Sequence, residues 1–106
     1  MHTISIQIVR FTDPSFPGWV ECILRDASGC EWKLTGKVPV FTKAPLDAAS
    51  SYPQLGVVAC EIIREWIDEH SRKRCSITTE RPWGIKAEGG VTQFEVFRDQ
   101  IGTQES

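Results

Sequence analysis

Residues 52–84 read YPQLGVVACEIIREWIDEHSRKRCSITTERPWG, and this stretch decides between two folds. Its first half places Val58, Ile62 and Trp66 at intervals of four residues, within an apolar stripe that would line one face of an amphipathic helix. Periodicity alone therefore favours a helix over about residues 54–70. Such a helix would pack on an antiparallel sheet and give an α+β fold.

The same stretch also fits a β-hairpin. It is rich in β-branched residues, no good helix cap precedes its first apolar residues, and a polar turn follows at residues 68–71. If strands lie on either side of that turn, opposite charges face each other across the two strands, and apolar side chains face apolar side chains. The predicted pairs are Glu65 with Arg74, Ile62 with Ile77, and Cys60 with Thr79. On the residues alone, the helix and the hairpin are equally supported.

The segments that precede this stretch are strand-like. Residues 3–11 alternate between apolar and polar side chains, which is typical of a half-buried strand, and the Pro- and Gly-containing residues 13–18 end it. Residues 19–34 alternate in the same way around residues 26–29 (DASG), whose Asp and Gly are typical of a type I turn. They predict a second hairpin. Its predicted register sets Leu24 against Cys30, Cys22 against Trp32, and Val20 against Leu34.

The segment after this hairpin contains a predicted edge of the sheet. Residues 38–41 (VPVF) read as a short extended piece, and Pro39 confines it to an edge or a bulge because proline has no N–H for the ladder. An exposed edge there could pair two copies of the chain into a homodimer. Residues 42–56 show no periodicity and predict a long loop, of the kind that often carries function.

The C-terminal part predicts one more turn and one more hairpin. Residues 81–84 (RPWG) carry proline second and glycine fourth, which is typical of a type I turn. Residues 88–90 (EGG) would connect a strand over residues 85–87 to one over residues 91–98. Residues 100–106 form a polar tail that is expected to fray.

Four motifs, taken together, resemble those of a group of small uncharacterised bacterial proteins of about this length. They are GWVEC at 18–22, KVPV at 37–40, YPxxG at 52–56 and TERPWGI at 79–85. The resemblance spans residues 18–97 and implies a β-hairpin after Trp66, although this chain has residues 69–71 (EHS) where the group has a glycine-bearing turn. It favours an all-β fold, a six- to seven-stranded antiparallel barrel or sandwich. It implies no activity.

The composition predicts one globular domain over residues 1–106. A chain of 106 residues can bury one hydrophobic core, and 41% hydrophobic with 25% charged residues is typical of a folded domain. The net charge of −2 argues against nucleic acid or an anionic membrane as a partner. Neither a signal peptide nor a membrane-spanning run is recognisable, so a cytoplasmic location is predicted.

The cysteines and histidines form no recognisable catalytic or metal-binding pattern. The four cysteines lack the C-x-x-C spacing of a zinc site and predict reduced thiols that act as small apolar side chains. His2 lies at the N-terminus and His70 in a predicted turn, and the chain has no asparagine to orient a cysteine–histidine pair. We therefore predict no metal and no cofactor.

Rigid aromatic side chains in turns give the candidate binding surface. Trp83 lies in a Pro-x-Gly turn, so it either caps one end of the barrel or faces a partner. Tryptophan and arginine are the residue types that dominate binding hot spots. The candidate surface comprises the loop at residues 42–56 together with Trp83, Arg81, Tyr52, Trp19 and Glu80. This surface predicts a non-catalytic module that binds a protein partner.

Two other functions stay open on the residues. Cys60 or Cys75 could face the interior cavity of a small barrel enzyme or ligand carrier, where an activated thiol would react. The basic run at residues 72–74 (RKR), with Trp66 and Trp83 nearby, could bind a single nucleic-acid strand by charge and stacking. Acidic residues crowd the same turn, which weakens the second alternative.

Overall fold

The computed structural model describes residues 1–103, which form seven β-strands and one short helix. The strands are β1 (His2–Asp13), β2 (Trp19–Arg25), β3 (Glu31–Lys37), β4 (Gln54–Ile67), β5 (Lys73–Thr78), β6 (Gln93–Phe97) and β7 (Ile101–Thr103). The helix α1 is a single turn, Val38–Phe41, and 3-10 turns at Glu88–Gly90 and Arg98–Gln100 flank β6.

The strands form an antiparallel sheet that curls into a half-barrel. Six of them follow the order β3-β2-β1-β4-β5-β6, and β7 pairs with the first residues of β1. The predicted all-β fold of six to seven antiparallel strands is therefore confirmed. The alternative α+β fold, with a helix at about residues 54–70, is wrong.

All of residues 54–67 adopt a β conformation, as strand β4, because each half of this segment pairs with another strand. Its first half, up to Cys60, pairs with β1, and its second half, from Glu61, pairs with β5. Alternate side chains of the first half, such as Val58 and Cys60, are buried in the core. Ladder hydrogen bonds and this burial outweigh the helical spacing of the apolar residues, because propensity is a weak prior that tertiary context overrides.

The β4–β5 hairpin confirms the predicted pair of Ile62 with Ile77. A β-bulge at Ile63 then shifts the register by one residue, so the predicted pair of Glu65 with Arg74 is wrong. The pairs that follow the bulge are Glu65 with Cys75, Trp66 with Arg74, and Ile67 with Lys73.

The register of the β2–β3 hairpin differs from the prediction by two residues. The Asp26 carboxylate accepts hydrogen bonds from the backbone N–H groups of Ser28 and Cys30 and from the indole N–H of Trp32, each at 2.9 Å. These bonds hold residues 26–30 in a wider loop than a four-residue turn, and Cys30 is exposed instead of lying on the apolar face. The observed pairs are Leu24 with Trp32, Cys22 with Leu34, and Val20 with Gly36.

Residues 38–41 form α1 rather than the predicted edge strand. Proline is accepted in the first turn of a helix, where its missing N–H would have no partner. Val38 and Phe41 are buried, so this turn caps the core. The predicted edge for pairing two copies is therefore wrong at this position. The loop that follows is shorter than predicted, because β4 already begins at Gln54.

The turn that carries Trp83 is wider than the predicted type I turn. The Gly84 N–H donates to the Glu80 carbonyl at 2.7 Å, and the Ile85 N–H donates to the Thr79 carbonyl at 3.1 Å. Gly84 has a φ of 67°, a left-handed conformation that glycine adopts without steric cost. The turn therefore spans residues 79–85.

Thr79 anchors this turn outside the β4–β5 ladder. The predicted pair of Cys60 with Thr79 is wrong, because Cys60 lies opposite His2 of β1. The Thr79 N–H donates instead to the Thr92 carbonyl at 2.9 Å, and its fully buried hydroxyl donates to the Ile85 carbonyl at 2.7 Å.

The predicted C-terminal hairpin is also wrong. Residues 85–87 contribute only an isolated bridge, between Ala87 and Leu34, while β6 pairs with β5. Residues 101–103 form β7 against β1, so this part of the tail does not fray as predicted. Residues 104–106 lie outside the described part of the chain.

The core fills the inside of the curl and receives side chains from all seven strands, together with α1. Gly56 of β4 lies where α1 meets this core. A Cβ atom at Gly56 would come within 2.9 Å of the Phe41 carbonyl oxygen and of the Ile8 side chain. The close approach of α1 to β4 thus requires glycine.

We expect Gly56→Ala to lower the free energy of unfolding by about 1–3 kcal/mol, because overpacking forces the neighbouring backbone to shift. Urea unfolding measures this loss. Gly102→Ala in β7 is the matched control, since its Cβ would meet its nearest atom, Thr3 Oγ1, at 3.5 Å. Equal effects of the two substitutions would contradict the tight contact between α1 and β4.

Candidate binding groove

A concave groove of about 810 Å³ lies where the first half of β4 meets residues 37–43 and the turn of Trp83. Its lining is mainly apolar. From β4 it receives Leu55, Val57 and Ala59, and from the α1 segment Pro39, Val40 and Phe41. We call this concavity the groove.

Strand β4 supplies apolar side chains to both of its faces. Val58 and Cys60 are buried in the core, while the alternating residues Leu55 and Val57 line the groove. Leu55 is 80% exposed, which is unusual for a large aliphatic side chain on a strand of a small domain. The groove therefore presents apolar surface that the fold itself leaves uncovered.

Trp83 also lines the groove and is 60% exposed. The hydrogen bonds of Thr79 and Gly84 fix the turn that carries it. Next to it, Arg81 Nε donates to Glu61 Oε2 at 2.6 Å, and this pair ties the turn to β4. Of the two predicted positions for Trp83, the exposed one is observed, and the side chain does not cap the core.

The charged side chains that line the groove are those of Lys37 and Lys43. The Lys37 ammonium lies 5.7 Å from the centre of the Trp19 ring, a cation–π distance. Lys43 is exposed. Among the lining residues in the described chain there is no Asp or Glu, so the local charge is positive although the whole chain carries −2.

The predicted surface residues are only partly brought together. Trp83 lines the groove, and Arg81 and exposed Glu80 lie in the same turn. Trp19 reaches the groove indirectly through Lys37. Tyr52 has a structural role, because its hydroxyl donates to the Asp47 carbonyl at 2.7 Å and closes the loop before β4.

Leu55 and Lys43 belong to the loop at residues 42–56 that the sequence predicted as part of the surface, whereas Lys37 and Val57, which also line the groove, were not predicted. A signal for Val57 is present, since residues 55–60 (LGVVAC) are almost continuously apolar instead of alternating. Such a run indicates a strand that is covered on both faces. The lysines are distant from β4 in sequence, and only the folded chain brings them to the groove.

Three of the four cysteines are buried, and burial makes their thiols unreactive. It raises the pKa of Cys22 to about 12, helped by the nearby Glu21 charge, and the pKa of Cys60 to about 11. The pKa of Cys75 is raised as well, by burial first and then by Glu65. Cys30 is exposed in the β2–β3 loop.

The histidines are not combined with other ligands into a metal site. His70 is exposed in the β4–β5 turn, with its Nε2 3.5 Å from Glu69 Oε1. Within residues 1–103, no three His, Cys, Asp or Glu side chains gather closely enough to hold a metal ion.

The second half of β4 and β5 form a hairpin, residues 61–78, whose turn is organised by Asp68. We call it the distal hairpin. The Asp68 carboxylate accepts hydrogen bonds from the N–H groups of Arg72 and His70 and from Arg74 Nε, at 3.0, 2.8 and 2.7 Å. The Arg72 N–H first, and then Arg74 and His70, lower the pKa of Asp68 to about 2.

Arginine side chains of the distal hairpin lie over two aromatic rings, one in the hairpin and one in β6. The Arg64 guanidinium lies 4.5 Å from the centre of the Trp66 ring. Those of Arg72 and Arg74 lie 3.6 and 5.3 Å from the centre of the Phe97 ring in β6. Of the two tryptophans predicted near the basic run, Trp66 lies opposite Arg74 but stacks on Arg64, whereas Trp83 lines the groove.

Comparison of the chain with protein-family models, curated proteins and solved structures found no match. Independently of these comparisons, none of the helices in residues 1–103 is long and apolar enough to cross a membrane.

We expect one thiol per chain, that of Cys30, to react quickly with an aromatic disulfide reagent at neutral pH. The thiolate is the reacting form, and the raised pKa values of Cys22, Cys60 and Cys75 keep them protonated. Cys30→Ser should abolish the fast phase, and denaturant should expose the remaining three thiols. Fast modification of Cys60 or Cys75 in the native state would contradict their burial.

We expect Asp68 to make stability depend on pH between about 4 and 2. The pKa of Asp68 is about 2 in the folded chain, whereas its ordinary value is 3.8. As the pH decreases, the unfolded chain therefore takes up the proton before the folded chain does, and the free energy of unfolding decreases. The stability difference between wild type and Asp68→Asn, measured by urea unfolding, should be largest above pH 4 and shrink towards pH 2. Glu69→Gln, in the same turn but 87% exposed at its side chain, retains Asp68 and is the control, so its stability should fall between pH 4 and 2 as that of the wild type does.

Proposed function

We propose that the protein is a non-catalytic binding module, and that the groove takes a short segment of a partner protein. The segment combines large apolar side chains with acidic residues. The single observation that carries this proposal is that Leu55 and Trp83, which are 80% and 60% exposed, line one concavity.

The apolar character of the groove supports a protein segment as the occupant. Uncovered apolar surface lowers solubility, so large exposed apolar side chains that share a concavity are typical of an interaction site. Tryptophan in particular loses little conformational freedom on binding and contributes large contact areas. A partner side chain placed between Trp83 and Leu55 would remove both from water.

The charge of the groove supports an acidic segment. Lys37 and Lys43 provide the charged groups of the lining, and opposite charge steers the encounter and fixes the orientation of the partner. Since the chain as a whole is acidic, this positive region would select partners by local rather than net charge.

The residues of the groove lie on parts of the chain that hydrogen bonds and an ion pair hold in place before a partner binds. Leu55 lies on a strand paired along β1, and Trp83 lies in a turn held by Thr79 and by the pair of Arg81 with Glu61. A rigid site loses little entropy on binding, which supports recognition through a small area.

The two alternative functions receive less support. A reactive cysteine would need a thiolate facing a cavity, but no cysteine is among the residues that line the groove in the described chain, and burial raises the pKa of Cys60 and Cys75. Single-stranded nucleic acid would need free aromatic rings beside the basic run at residues 72–74, but Trp66 stacks on Arg64, and Trp83 lines the groove, to which residues 72–74 do not contribute in the described chain. Four free cysteines support the cytoplasm as the compartment that we propose.

Selection from a library of random peptides displayed on phage tests the proposal. We expect the recovered peptides to combine aromatic or aliphatic residues with Asp or Glu. A synthetic peptide of the recovered sequence should bind Trp83→Ala and Leu55→Ala at least about tenfold more weakly than wild type, a loss of about 1.4 kcal/mol. Isothermal titration calorimetry measures the affinities, and thermal unfolding should show nearly unchanged midpoints.

Two matched variants separate the groove from general surface properties. Phe16→Ala removes an apolar side chain that is 96% exposed outside the groove, and it should bind the peptide like wild type. Lys43→Glu should select peptides with fewer acidic residues. Peptides that bind Trp83→Ala as well as wild type, or a large loss of stability in that variant, would refute the proposed site.

A further inference from the structure

The second half of β4 has an edge without a partner strand among residues 1–103. The ladder of β1 with β4 ends at the pair of His2 with Cys60, whereas β5 pairs with β4 from Glu61 onwards on the opposite edge. Residues 61–67 therefore present unpaired backbone N–H and C=O groups on the side that β1 occupies earlier in the strand.

This edge carries apolar side chains that the fold leaves in water. Ile63 is 47% exposed and Ile67 is 65% exposed. Proteins usually protect an edge strand with proline, lysine or a covering loop, because an open apolar edge pairs with other chains. The edge contains charged residues at Glu61, Arg64 and Glu65 and the bulge at Ile63, but residues 64–67 beyond the bulge are regularly paired with β5 and contain neither proline nor lysine, so this part is open to an added strand.

A second copy of the chain would pair with this edge in few registers. Two identical antiparallel strands related by a two-fold axis place one residue opposite its own copy on the axis, and residues at equal distances on either side then face each other. With Glu65 on the axis, Ile63 faces Ile67 of the second copy, and Arg64 faces Trp66 of the second copy.

The register centred on Glu65 suits these side chains better than its neighbours. It joins the two exposed isoleucines and sets each Arg64 beside a tryptophan, as Arg64 already lies beside Trp66 within one chain. A register centred on Arg64 would set Ile63 against Glu65, and one centred on Trp66 would set Glu65 against Ile67.

The cost of the favoured register is the approach of two Glu65 side chains on the axis. Each carboxylate already has a cation beside it, since Arg98 Nε donates to Glu65 Oε1 at 3.0 Å. Two such pairs would place four alternating charges around the axis, which offsets the repulsion between like charges.

We propose that two copies of the chain pair antiparallel along residues 61–67 of β4 and form one continuous sheet across a two-fold axis at Glu65. This dimer uses a different surface from the groove, and it replaces the edge at residues 38–41 that the sequence predicted.

Disulfide trapping tests the register. In a Cys30→Ser background, Ile63→Cys and Ile67→Cys are made as separate variants and then mixed under mild oxidation. Opposed residues lie about 4.5–5.5 Å apart at their Cα atoms, within the reach of a disulfide. The mixture should therefore form a disulfide-linked dimer quickly. Either variant alone should not form this disulfide. In the favoured register, the two identical cysteines of such a dimer would be displaced from each other by four residues along the strand, roughly 13 Å.

Sedimentation equilibrium over a concentration series tests the dimer itself. We expect Ile67→Lys to weaken association at least about tenfold, and Phe16→Lys, which adds the same charge elsewhere, to leave it unchanged. Glu65→Gln should strengthen association because it removes the like charges from the axis. This gain distinguishes the proposed interface from a structural role, since loss of the pair with Arg98 would only weaken a monomer.

The proposal is overturned by any of three results. One is a wild-type chain that stays monomeric up to about 1 mM, the weak limit of specific association. Another is a dimer whose association Ile67→Lys leaves intact. The third is disulfide formation by Ile63→Cys or Ile67→Cys alone as fast as in the mixture, which would show random collision or another register.

Discussion

The pairing of β4 with two different strands is the constraint on which the rest of the structure depends. Its first half completes the sheet with β1, and its second half carries β5 and, through β5, β6. Because one continuous strand belongs to both ladders, the sheet curls around a core to which alternate residues of β4 contribute. The bulge at Ile63 lies between the pairs of Ile62 and Arg64 in the second ladder, where it shifts the register.

The groove and the open edge are both consequences of this strand. The first half of β4 has apolar side chains on both faces of the strand. The core covers one face, and the other face, which carries Leu55, lines the groove. Its second half extends beyond the end of β1, so one edge has no partner strand in residues 1–103. Both features expose apolar surface, which a small domain carries at a cost in solubility unless another chain covers it.

Local signals predicted the elements better than their registers. Alternation in residues 3–11 and the pair of Ile62 with Ile77 were predicted correctly, because each depends on the order of side chains within one or two neighbouring strands. The β2–β3 register was predicted wrongly because the Asp26 carboxylate binds three donors and widens the loop. Hydrogen bonds of this kind depend on geometry that turn statistics do not contain.

The sequence by itself determined the strands in residues 3–11 and 19–34, the position of the central turn at residues 68–71, and a tryptophan held in a turn near residue 83. Period-2 patterns and turn residues act over a few positions, so they can be read without the fold. The tertiary structure alone decided that residues 54–67 are a strand and not a helix, because the partners β1 and β5 come from distant parts of the chain. It also decided which residues share the groove, since Lys37, Leu55 and Trp83 meet only when the sheet curls.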